Sequence, residues 1–79
     1  MHARVTVTLK SGVLDPQGQA ITGSLKALGF GSISGVRQGK VFDVDIGESD
    51  ITDARVALAA MCERLLANTV IENYSIEIA

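Results

Sequence analysis

Ala3-Arg4-Val5-Thr6-Val7-Thr8-Leu9-Lys10 alternates strictly: Ala3, Val5, Val7 and Leu9 fall on one face and Arg4, Thr6, Thr8 and Lys10 on the other. Successive side chains of a strand point to opposite faces, so this is the pattern of a strand with one buried and one wet side. After Ser11-Gly12, Asp15 suits a helix N-cap and Pro16 suits the first helical position, where its missing N–H would have no partner anyway. Ile21, Leu25 and Leu28 then recur at i, i+4 and i+7, the spacing of a buried stripe, and Gly29 stands where a left-handed C-terminal cap belongs.

Further along, residues 33–38 and 40–46 read as two strands joined at Gln38-Gly39, with Phe42, Val44 and Ile46 inward and Val41, Asp43 and Asp45 outward. Gly47-Glu48-Ser49-Asp50 breaks the pattern, and Asp50 or Thr52 caps a second helix whose Ala54, Leu58, Met61 and Leu65 share a face until about Asn68. Tyr74, Ile76 and Ile78 alternate with Ser75 and Glu77 as a last strand. The predicted order is βαββαβ, an α+β ferredoxin-like sandwich with both helices on one face of an antiparallel sheet. The other face, with Arg4, Thr6, Thr8, Asp43, Asp45 and Glu77, is left open, polar enough for water and β-prone enough to receive a second sheet.

The chain has 79 residues, which leaves room for a single domain, residues 1–79, with a thin core. Its 47% hydrophobic and 20% charged residues are those of a folded soluble protein. No apolar run approaches the ~20 residues of a membrane span, and no leader-like stretch follows Met1, so the expected location is the cytoplasm. The seven basic residues are scattered and the net charge is −2, which gives no footprint for nucleic acid or an anionic membrane. A lone cysteine, Cys62, forms no internal disulfide, so association is the expected supplement to stability.

Catalytic chemistry is sparse. Cys62 has only His2 as a conceivable base, and it reads better as a small buried hydrophobe. No Cys/His cluster supplies a metal site. Asp43 and Asp45 lie roughly 7 Å apart on one strand face, at ~3.3 Å rise per residue, and read as a solvated surface. Gly35-Val36-Arg37-Gln38-Gly39-Lys40 has too few residues between its glycines for a phosphate loop, and Val41 follows the lysine where Ser or Thr is needed. Gly29-Phe30-Gly31 lacks the third glycine of a dinucleotide fingerprint. Gly18 and Gly23, inside the first helix, each cost about 1 kcal/mol relative to alanine. Ala20, Gly23 and Ala27 form a small-residue stripe that would admit another backbone.

Thr8-Leu9-Lys10, Val13-Leu14-Asp15-Pro16-Gln17-Gly18, Leu28-Gly29-Phe30, Val36-Arg37-Gln38-Gly39-Lys40 and Met61 through Glu72, in that order, resemble the PurS family, with Gln38 and Val41 departing from its usual pattern. The resemblance implies a non-catalytic subunit of phosphoribosylformylglycinamidine synthase in de novo purine biosynthesis. Such a chain would bridge a glutaminase subunit (PurQ) and an ATP-dependent synthetase subunit (PurL), assist ammonia transfer, and form a homodimer or homotetramer. It would hold no cofactor itself, with ATP and magnesium expected in the synthetase partner of this glutamine-using ligase complex. The expected partner contacts are Asp15, Pro16, Gln17 and Gly18 in one turn and Arg37, Gly39 and Lys40 in the other, each combining close-approach backbone with hydrogen-bonding side chains. Folding alone also accounts for Asp15 and Pro16, as a helix start. The competing reading is a small-molecule-binding regulatory module of ferredoxin-like fold.

Overall fold

A computed structural model describes all of residues 1–79. In chain order it contains β1 (His2–Leu9), α1 (Pro16–Ala27), β2 (Gly39–Asp45), α2 (Ile51–Met61), a single π-helical stretch (Cys62–Leu66) and β3 (Glu72–Ile78). The strands form one antiparallel sheet in the order β2-β1-β3, with Val5 opposite Phe42 on one side and Ile76 on the other. The arrangement is α+β and ferredoxin-like, with three strands. No helix is long and apolar enough to cross a membrane.

The alternation in β1 does what it predicts. Ala3, Val5 and Val7 are wholly buried and meet Leu58, Cys62 and Ala67 in the core, with Phe42, Val44, Tyr74 and Ile76 half-buried around them. Each large apolar side chain removed from water this way contributes roughly 1.5–3 kcal/mol. Only 9 of the 79 residues are buried, so a single chain has little of this to set against its conformational entropy.

Both helix starts follow their caps. The Asp15 carboxylate accepts from the Gly18 N–H at 2.8 Å with Pro16 in the first turn, and the Asp50 carboxylate accepts from the Asp53 N–H at 3.1 Å. Asp50, rather than Thr52, is therefore the second cap. α1 ends in a Schellman motif: the Phe30 N–H donates to the Leu25 carbonyl at 3.0 Å and the Gly29 N–H to Lys26 at 3.1 Å, with Gly29 at φ +102°.

Three sequence expectations are corrected. Residues 33–38 form no strand, so no hairpin exists; the chain there runs past the start of α1, and β2 begins at Gly39. The Ile21/Leu25/Leu28 stripe is not buried within the chain: Leu28 is 74% and Ile21 38% exposed, and Gly18 is the only buried residue of α1. α1 packs on no other element as extensively as α2 does on β3. Along α2 and the π-helical stretch after it the buried row is Ala54, Leu58 and Cys62, while Met61 and Leu65 of the expected face are 37% and 84% exposed. The reason is the wide turn after Met61, where the Ala67 N–H donates to the Cys62 carbonyl at 3.0 Å, five residues back. The underwound turn rotates Leu65 out and brings Ala67 into the core.

Candidate partner-contact site

The two segments singled out in the sequence, residues 15–18 and 37–40, meet at one corner of the molecule. Asp15 is the joint. One of its oxygens caps α1 through the Gly18 N–H, and the other accepts from the Gln38 N–H at 2.7 Å. Those two backbone donors, the Gln38 bond first, hold the Asp15 carboxyl below its ordinary range despite some desolvation. The side chain is only 5% exposed, and the charge is balanced by hydrogen bonds rather than by a contact ion pair.

Gly18 completes the joint. A Cβ on it would overlap the Val36 carbonyl oxygen and sit within 2.8 Å of the Asp15 carboxylate. This is the close packing contact that its position inside a helix called for, and no side-chain pattern in the sequence names Val36 as the neighbour. Gly39 is constrained in the same way, since a Cβ there would lie 2.6 Å from the Val7 carbonyl oxygen. Gly23, by contrast, has nothing within 4 Å.

Longer side chains close the corner from outside. Arg37 donates to the Val13 carbonyl at 2.8 Å and to the Lys10 carbonyl at 3.1 Å, tying the loop after β1 to the segment before β2. Gln38 Nε2 donates to Gln17 Oε1 at 2.7 Å, and Lys40 Nζ lies 3.6 Å from Glu72 Oε2 at the start of β3. Shallow clefts of about 290 Å³ lie on either side of the joint. One runs along Leu14, Asp15, Thr22 and Arg37, and the other along Gln17, Gln38, Lys40 and Glu72. Pro16, Gln17, Arg37, Gln38 and Lys40 are exposed around this corner, whereas Asp15 and Gly18 are buried inside it. Glu72, a half-buried acid at a strand start, is a member the sequence reading did not single out.

No other constellation offers chemistry. Cys62 is buried on the helix-covered face and its thiol is pushed up by burial. His2 lies on the opposite face of the sheet, with Nδ1 2.9 Å from Asp45 Oδ1. The sheet therefore separates the only thiol from the only imidazole. Asp43 bonds Arg4 Nε at 3.0 Å, which holds its carboxyl low and makes the pair part of a polar cross-strand surface. No three metal-ligating side chains converge anywhere in the chain.

Comparison with known proteins places the chain in a family. Residues 2–79 match the family model described as PurS: phosphoribosylformylglycinamidine (FGAM) synthase. The chain is 51% identical to the phosphoribosylformylglycinamidine synthase subunit PurS of Mycobacterium leprae over 75 residues, covering 95% of this chain and 91% of that one. Among solved structures, Bacillus subtilis PurS superposes with a TM-score of 0.87 at 45% identity, covering 96% of this chain and 94% of that one. A chain of the PurLQS structure from Thermotoga maritima also superposes with a TM-score of 0.87, at 26% identity over 96% and 93% of the two chains.

Proposed function

Because the chain belongs to the PurS family, we propose that it is the small non-catalytic subunit of a phosphoribosylformylglycinamidine synthase complex in de novo purine biosynthesis. In this reading it works in the cytoplasm, bridges a PurL-type synthetase and a PurQ-type glutaminase, associates with copies of itself, and assists passage of ammonia between the two active sites. ATP and magnesium belong to the synthetase partner. The observation that carries the reading is the match along residues 2–79, joined to the fold shared with a chain of a PurLQS structure.

The physical features are those of a bridge. The chain has no nucleophile paired with a base and no convergent metal ligands. A neutral small molecule needs a path closed to water rather than acid–base groups along it. The corner at Asp15 and Gln38 supplies a rigid platform: Asp15 and Gly18 hold the shape from inside, and Pro16, Gln17, Arg37, Gly39 and Lys40 present it to a partner. Arg37 spends part of its guanidinium on two carbonyls and keeps its remaining N–H groups for a partner's acceptor.

Co-purification with the synthetase and glutaminase of the same organism, with glutamine and nucleotide present, tests the reading. The wild-type chain should enter a ternary complex, and an Arg37→Ala/Lys40→Ala chain should enter it at least tenfold more weakly. Failure of the wild type to assemble under any such condition overturns the bridging role. Unchanged assembly of the double variant moves the contact away from this corner.

A further inference from the structure

We propose that the cleft between the first turn of α1 and the starts of β2 and β3 binds a free neutral α-amino acid, its ammonium group held at Glu72 and its carboxylate at Lys40. This goes beyond assembly with PurL and PurQ, because it gives the chain a small-molecule ligand of its own.

The cleft lies where the sheet runs out of cover. Leu58, Cys62 and Ala67 meet Ala3, Val5 and Val7 in the core, but Leu9, next on the same face, stays half-buried. Lys40 is paired with Val7, and Glu72 with Leu9. Directly paired residues share a sheet face, so both charges stand at this uncovered end, one from each side of β1. Gln17 and Gln38 form the rim, and about 290 Å³ lies between. That is near the lower end of the roughly 300–1,000 Å³ of small-molecule sites, a size for one amino acid.

Its polar groups are oriented and underused. The Glu72 side chain is 13% exposed, and one of its oxygens accepts from the Asn68 N–H at 2.7 Å, which fixes the carboxylate. The other oxygen has only Lys40 Nζ, at 3.6 Å, beyond the roughly 2.7–2.9 Å of a charge-assisted hydrogen bond. Gln38 Nε2 donates to Gln17 Oε1, which leaves the Gln17 amide N–H groups as donors and the Gln38 side-chain carbonyl as an acceptor. An α-amino acid matches this set: its ammonium suits Glu72 and the Gln38 carbonyl, its carboxylate Lys40 and the Gln17 amide. Charge selects the class. A phosphate or dicarboxylate would face Glu72 and the buried Asp15 carboxylate, and a metal cation or polyamine would face Lys40. A zwitterion sets an opposite charge against each. Val7 and Leu9 line the floor, where an aliphatic side chain can lie. Since the reading above also gives Lys40 to a protein partner, an occupied cleft withdraws it from that contact and so regulates docking.

The test uses the isolated chain, so its outcome is separate from that of assembly. In a heteronuclear NMR titration, L-leucine should shift the amides of Leu9, Gln38, Lys40 and Glu72 along one saturable curve in the millimolar range. Isoamylamine and isocaproate keep the side chain but each lack one of the two charges, and both should bind at least tenfold more weakly. Glu72→Gln retains the acceptor for Asn68, and Lys40→Met retains the apolar stem; each should also cost at least tenfold. Absence of a saturable shift at these amides up to the solubility of leucine overturns the proposal. Equal binding of either single-charge analogue, or undiminished binding by either variant, overturns it too. The analogue comparison is made on the wild type and decides even where a variant fails to fold.

Discussion

Replacing Gly18 with alanine separates two physical effects of opposite sign. A mid-helix Gly→Ala change normally stabilises by up to about 1 kcal/mol, because glycine has more backbone freedom to lose on folding. Gly18 is not among the glycines with positive φ, so its conformation does not forbid a side chain. Space does. The new methyl would overlap the Val36 carbonyl oxygen, with Asp15 Oδ2 and Cγ at 2.8 and 2.9 Å. Backbone and a pinned carboxylate cannot yield like the end of a flexible side chain, so relief must come from parting α1 from residues 36–38. Overpacking of this kind costs about 1–3 kcal/mol, which outweighs the propensity gain. The expected net loss is about 1–2 kcal/mol, or roughly 5–15 °C in Tm for a domain of this size. Gly23→Ala is the control: with nothing within 4 Å, it should raise Tm by up to several degrees on propensity alone. Circular-dichroism melts at one fixed chain concentration make the comparison, since association shifts Tm by mass action. A Gly18→Ala chain as stable as Gly23→Ala would refute the close contact. A destabilised Gly23→Ala chain would instead place another backbone on the Ala20/Gly23/Ala27 stripe.

Asp15 predicts an acid dependence. Its folded pKa is lowered, chiefly by the Gln38 N–H and then by Gly18, so the stability it supplies is present above the unfolded carboxyl pKa and is lost as pH falls through the folded one. Asp15→Asn should be less stable than wild type at neutral pH, and the gap should narrow toward pH 2 in denaturant titrations; a gap that stays constant with pH would sink the assignment. Cys62 should react with a thiol reagent at least a hundredfold more slowly in the native chain than in denaturant, because burial both hides the thiol and raises its pKa; equal rates would mean the core opens freely around it.

The alternation of residues 3–9, the Asp15 cap and the Gly29 stop are legible because each is a local code written in side chains, whereas the second cap stays open between Asp50 and Thr52 until the Asp50 carboxylate is seen to accept from Asp53. The segment 33–38 is not legible. What decides it is main chain: the Val36 carbonyl lies against Gly18, and the Gln38 N–H is taken by Asp15, uses that leave no signature in residue type. The α1 stripe was read correctly as a pattern and misplaced as a location, since spacing shows that a face is apolar without showing which surface covers it. The exchange of Leu65 for Ala67 in the core turns on one wide helical turn, which a 3.6-residue period cannot anticipate. At the site, Gly18 announced a neighbour by its cost, and Asp15 was readable as a cap; its second bond, to a residue 23 positions away, required the fold.

The strand order has a consequence for how the chain comes into being. β2 and β3 share no backbone pairing; each is hydrogen-bonded into the sheet only through β1, with Ala3 paired to Val44 on one side and to Ile78 on the other. The strand synthesised first is thus the one every later strand needs, and it waits unpaired with Val5 and Val7 exposed until residues far along the chain arrive. Pairings of such long sequence separation make for slow folding and a period of vulnerability to aggregation. Charged residues in or beside an apolar strand disfavour its pairing with further copies, and Arg4 within β1 and Lys10 just past its end stand in those positions.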